Sequence, residues 1–195
     1  MNDTKEHILK VSFSLFLQKS FKEVTMQEIV EKTGMSKGAF YHYFESKEQL
    51  FLEVIEDFVS AIIIDYSQLN KDSLYQFYHG YLNHKEKLSI LPNRMDTDSG
   101  FNYYALIFDA AKLFPSFRRK VIETLEAELK AWEEIVHIAR NNGEINSSMT
   151  DEQIASLFIY THDGVGMRNI IQGNMKDMSE ALTATWDGLY EQLKA

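Results

Sequence analysis

The chain has 195 residues, enough for a full hydrophobic core, and its 45% hydrophobic and 25% charged residues are ordinary for a globular protein, which excludes wholesale disorder. With no cysteine it can form neither a disulfide framework nor a thiolate metal site, and it suits a reducing compartment. The formal charge of −9 speaks against nucleic acid until its distribution is read: seven lysines and seven acids in residues 1–50 cancel, so the whole excess falls on residues 51–195.

In chain order, MNDTKEHILK interleaves charges with apolar residues and so lacks the uninterrupted apolar run of a secretory signal. The longest apolar run, Ala61-Ile62-Ile63-Ile64, is far short of a membrane span. A cytoplasmic protein without membrane contact is expected. Ile8, Val11, Leu15 and Phe16 set a helix over about Thr4–Lys19. Thr25 followed three residues later by Glu28 predicts a capping box on a short second helix that ends at Gly34. Ser36 caps a third short helix through about Tyr43. Ser46 caps a fourth with Leu50, Phe51, Val54, Ile55 and Phe58 on its apolar face. Longer helices follow near Ser73–Ile90, Asn102–Phe114, Ser116–Asn141, Asp151–Gln172 and Ser179–Leu193, with residues 92–100 as the best loop. No strand alternation is present. The fold class is therefore all-α: an N-terminal three-helix unit, joined by a continuous helix to a larger C-terminal helical bundle.

Two short helices joined by a tight turn at Gly34, within a three-helix packet, form a helix-turn-helix over about residues 25–44. In such units the start of the second helix enters the DNA major groove. Ser36, Lys37, Gly38, Ala39, Tyr41 and His42 are then the candidate reading face. Gly38 and Ala39 allow close approach, Ala39 can touch a thymine methyl, Lys37 can reach guanine or phosphate, and Tyr41 can donate to phosphate. Thr25 and Lys47 lie at helix starts where free amides already favour phosphate.

The stretch FKEVTMQEIVEKTGMSKGAFYHYFESKEQL resembles the DNA-binding domain of the TetR family of regulators, most specifically through G-x-S-x-G-x-x-Y-x-Y-F-x-S-K-x-x-L from Gly34 to Leu50. The likeness covers about residues 5–55. Ser20-Phe21 stands where the family often has glycine then an aromatic, and Val30 where it usually has alanine; neither touches the reading face. The resemblance implies about nine helices, a homodimer, double-stranded operator DNA as partner, and a C-terminal pocket whose small-molecule effector releases DNA, usually as a repressor. On that basis residues 1–48 are expected to bind DNA and residues 49–195 to bind ligand and dimerise.

The aromatic residues are chiefly core, but bundle interiors are where helical proteins hold ligands, so Tyr78, Tyr103, Tyr104, Phe108, Trp132 and His162 are the candidate pocket. Two stripes, Ile154, Leu157, Phe158, Thr161 and Val165, then Leu182, Thr185 and Leu189, could build an intermolecular four-helix bundle or simply close the monomer core. His79 and His84, five apart, are wrongly spaced for a zinc pair, and His162-Asp163 has no nucleophile. Gly164-Val165-Gly166 follows no strand and is no phosphate loop. No metal, cofactor or enzymatic activity is expected. A helical ligand-binding or enzymatic protein with a vestigial DNA end, and a protein-binding adaptor, are the competing readings.

Overall fold

The computed structural model describes residues 3–89, 99–173 and 178–195, with side chains described outside 85–102. It is all-helical: α1 (Asp3–Gln18), α2 (Met26–Thr33), α3 (Lys37–Tyr41), α4 (Lys47–Ile62), α5 (Leu74–Ser89), α6 (Ser99–Leu113), α7 (Pro115–Asn141), α8 (Asp151–Gln172) and α9 (Met178–Leu193), with a 3-10 turn at Tyr66–Gln68 that the sequence pattern did not announce. Among the described residues there is no strand, only one isolated bridge between Ile145 and Lys194. No described helix is long and apolar enough to cross a membrane.

The ends obey capping chemistry. Thr25, Ser36, Ser46 and Thr150 each accept a backbone N–H from the first turn of the helix they open. The predicted capping box at Thr25 is only half formed. Thr25 Oγ1 accepts from Glu28 N at 3.1 Å, but the Glu28 carboxylate pairs with Lys19 instead of reaching back. The complete box stands on α8, where Thr150 N also donates to Gln153 Oε1 at 2.9 Å. Gly34 closes α2 at φ +69°, a left-handed conformation that costs an L side chain about 1–2 kcal/mol. α3 ends at Tyr41, two residues short of expectation, because Tyr43 N turns to Phe40 O at 2.9 Å. Most of the predicted loop 92–100 lies outside the described residues, and Ser99 and Gly100 already belong to α6.

The chain divides into two compact units. The first takes Met1–Ile63 with Phe101–Val121, the second Ile64–Gly100 with Ile122–Ala195. In the first, Ile8, Phe16, Phe21, Ile29, Phe40, Phe44, Leu50, Phe51 and Val54 form the core, joined by Leu106, Ala110 and Phe117. The Phe16 and Phe21 rings lie 4.8 and 4.7 Å from Phe51, and burial of each such ring contributes about 1.5–3 kcal/mol. In the second, α5, α7, α8 and α9 converge on two tryptophans. Trp132 stacks on Phe158 at 5.0 Å, and Trp186 donates from Nε1 to Phe158 O at 3.1 Å and Thr161 Oγ1 at 3.0 Å. Glu144 ties the bundle, accepting from Leu74 N (2.9 Å), Tyr75 N (3.1 Å) and the Tyr190 hydroxyl (3.1 Å).

Candidate nucleic-acid interface

Phe40 and Phe44 are fully buried and fasten α3 to the first unit from beneath. Their fixing turns Ser36, Lys37, Gly38, Ala39, Tyr41 and His42 outward, and all six are exposed. The predicted reading face is therefore one contiguous surface on the first turn and a half of α3. Gly38 has no conformational reason to be glycine: its φ is ordinary, and a Cβ built there would meet nothing within 4 Å. Inside a helix such a residue costs roughly 0.5–1 kcal/mol relative to alanine. Nothing in the fold requires its smallness.

The capping hydroxyls have acceptor and donor roles at once. Thr25 and Ser36 spend a lone pair on Glu28 N (3.1 Å) and Ala39 N (3.3 Å), which leaves each hydroxyl proton able to donate. Among the lysines of this region, Lys5 pairs with Glu53 and Lys19 with Glu28, whereas Lys22 and Lys37 are exposed and stand in no ion pair among the described residues. Lys47 sits differently. Its ammonium donates to Phe21 O and Val24 O, each at 2.8 Å, and lies 4.4 Å from the Phe21 ring centroid.

The other candidate residues fall in several places. Tyr78 and Trp132 are buried in the core of the second unit, with His162 beside Tyr81 at 5.5 Å. Tyr103, Tyr104 and Phe108 belong to the first unit, where Tyr103 stacks on Phe58 at 5.0 Å and Phe108 is 61% exposed. Tyr78, Trp132 and His162 thus lie in the second unit and Tyr103, Tyr104 and Phe108 in the first. The sequence grouped them only as residues of a bundle interior; α6 packs with the first unit, an assignment only tertiary contacts can make. An open groove of about 340 Å³ in the second unit is lined by Asp65, Leu69, Asn70, Gly80, Asn83 and His84 among others, none of them predicted.

Of the stripe residues, Ile154, Phe158 and Leu182 are completely or almost completely buried within the chain, so they offer a partner no surface. Leu157, Thr161, Val165 and Leu189 are half-buried and Thr185 is exposed. The outward face of α8 is instead Tyr160, Gly164, Met167 and Ile171, at i, i+4, i+7 and i+11, with Tyr160 68% and Ile171 61% exposed. The signal was available as a second stripe about a third of a turn round the helix from the first.

Three tyrosines of the second unit are held neutral. Burial, with Glu128, Asp187 and Glu144 as the acceptors of their hydroxyls, raises Tyr66 and Tyr78 far above the usual phenol range and pushes Tyr190 up to about 12. Burial also pushes the Asp151 carboxyl up, but hydrogen bonds from Arg140 and His137 outweigh it and hold the group below the usual carboxylate range. Among the described residues no cluster of metal-ligating side chains is present.

An all-helical chain with a capped helix-turn-helix whose second helix stands open to solvent has the build of a helix-turn-helix transcription regulator. Comparison with known proteins agrees: residues 8–54 match the family of bacterial regulatory proteins named for tetR. The HTH-type transcriptional regulator YerO of Bacillus subtilis (strain 168) is 42% identical over 72 residues, 37% of this chain and 25% of YerO. The HTH-type transcriptional repressor DhaR of Mycobacterium sp. (strain GP1) is 20% identical over 95% of this chain and 91% of its own. A crystal structure of a transcriptional regulator of the TetR/AcrR family superimposes with a TM-score of 0.68 at 26% identity, covering 95% of this chain and 99% of the other. Residues 8–54 thus carry a DNA-binding domain of the tetR type, and the chain as a whole shares its fold with the TetR/AcrR structure. The match to YerO spans a quarter of that relative's length, so that likeness is one of the DNA-binding region.

Proposed function

We propose that the protein is a cytoplasmic, homodimeric transcription regulator that binds double-stranded operator DNA through residues 1–48 and is released by a small-molecule effector held by residues 49–195, acting as a repressor. The observation that carries the DNA-binding part is the open α3 face with a glycine at its centre, whose missing side chain nothing in the fold requires. Gly38 and Ala39 would lie against base edges and Ala39 against a thymine methyl. Lys37 would reach guanine or phosphate, and Thr25, Ser36, Tyr41 and His42 would grip the backbone on either side. Repression accords with DhaR, which is a repressor and aligns over nearly all of this chain.

Dimerisation is supported by the outward face of α8 together with exposed Thr185 and Gly188 on α9. Gly164 and Gly188 have nothing within 4 Å of a built Cβ, leaving room for another helix to approach closely. Two recognition helices would then meet half-sites about 34–36 Å apart, or a multiple of that. For the effector, the buried Trp132 Nε1 has no hydrogen-bond partner among the described residues, an open donor in the second unit's aromatic core.

The test is a selection of genomic fragments by the purified full-length protein. Enrichment of a palindromic site, followed by its release on adding compounds made or degraded by the products of adjacent genes, is the expected result. Recovery of random fragments would refute the regulator.

A further inference from the structure

A lysine at the first position of a helix beside a DNA-binding face would ordinarily be assigned to phosphate, and the contacts of Lys47 argue otherwise. Resting on the reading of this domain as a DNA binder, we propose that Lys47 is a positioning residue: it serves operator binding by clasping the 21–24 loop, and it is not the counter-charge of a phosphate.

Two of the three ammonium N–H groups are used, on Phe21 O and Val24 O at 2.8 Å. The ring of Phe21 closes a further side at 4.4 Å, and that ring is itself held in the core by Phe51 at 4.7 Å. Charge-assisted bonds of this length are roughly twice as strong as neutral ones, and turning the ammonium outward would strand two carbonyls. The fully buried Val24 precedes the α2 cap. Because the peptide unit is planar, holding Val24 O fixes the direction of the Thr25 N–H, and so the plane from which Thr25, extended at φ −110°, ψ 152°, caps α2 through Oγ1. Lys47 thereby ties the start of α4 to the start of α2 across 23 residues. On the α3 face itself Lys37 has no such ties, being exposed and outside any ion pair among the described residues.

The two roles separate in salt dependence. Neutralising one phosphate contributes about 0.9 to the slope of log K against log salt, so losing one such cation from each half of a dimer flattens the slope by roughly 1.8. Full-length wild type, Lys37→Ala and Lys47→Met are titrated by anisotropy against a duplex from upstream of the protein's own gene, between 50 and 200 mM salt, with concentrations scaled to the folded fraction; these are conditions on the order of those where the effect is large. Amide exchange over residues 20–29 is followed in the free proteins.

Lys37→Ala is expected to flatten the slope. Lys47→Met is expected to weaken binding about tenfold or more, leave the slope at the wild-type value and speed exchange of residues 20–29. Should Lys47→Met fail to fold, Lys47→Arg replaces it. That variant keeps the charge but not a compact ammonium between two carbonyls, and it is expected to lose affinity. A slope flattened as in Lys37→Ala, an unchanged affinity of the folded variant, or full affinity in Lys47→Arg would overturn the proposal. If wild type bound no DNA at all, the DNA-binding reading would fall, while unchanged exchange in residues 20–29 would separately refute the clasp.

Discussion

The two units solve the same problem, burying helices, with different chemistry. The first is built on phenylalanine, and its buried polar side chains are satisfied locally: Ser12 donates to Ile8 O at 2.7 Å and Thr33 to Val30 O at 2.8 Å. The second is built on tryptophan and tyrosine, whose polar atoms reach across helices: Tyr66 donates to Glu128 at 2.6 Å, Tyr78 to Asp187 at 2.8 Å and Tyr190 to Glu144 at 3.1 Å. A core of locally satisfied groups leaves the surface polar groups free to meet a partner. A core wired by long-range hydrogen bonds makes its packing depend on protonation and on each partner's presence.

The largest expected effect comes from cutting that wiring. Trp186→Ala removes a fully buried ring and two hydrogen bonds, and is expected to cost about 3–5 kcal/mol in urea unfolding. A loss under 1 kcal/mol, on the order of a surface substitution, would show that the second unit does not rest on this ring. In the first unit the sharpest point is the turn. Gly34→Ala at φ +69° is expected to cost about 1–2 kcal/mol and to weaken DNA binding as α3 is re-aimed.

The tyrosines give a pH test of the contrast. Their folded pKa values are raised, so the stability they contribute is fully present below the unfolded value near 10 and is lost as pH climbs toward about 12, the Tyr190 value. Both tryptophans lie in the second unit, so their fluorescence should follow an alkaline loss of packing that Tyr190→Phe makes shallower. Identical alkaline profiles for wild type and Tyr190→Phe would remove the tyrosine from this account. The smallest expected effect has the opposite sign: Gly38→Ala should stabilise the chain by roughly 0.5–1 kcal/mol while weakening DNA binding.

How far the sequence could be read follows the same division. Thr25, Gly34, Ser36 and Ser46 act within four residues of their own positions, so their caps and the open α3 face were legible from the pattern alone. The ends of α8, at Thr150 and Gly173, were legible for the same reason. Lys47 was not, because its partners Phe21 and Val24 are 26 and 23 residues away. Nor was the membership of Tyr103, Tyr104 and Phe108 in the first unit, which only tertiary packing decides. On α8 one apolar stripe was visible, open to a partner or to the monomer core; the structure buries Ile154 and Phe158 inside the chain and leaves Tyr160 and Ile171 outside.

The most direct test of the central claim is the affinity of the full-length protein for the DNA upstream of its own gene, against scrambled competitor, for wild type, Gly38→Ala and Tyr41→Ala. The account predicts tight, competitor-resistant binding by wild type, and its loss in both variants although Gly38→Ala is the more stable protein. Equal, weak binding by all three would contradict it, because the open face of α3 would then have no partner in DNA.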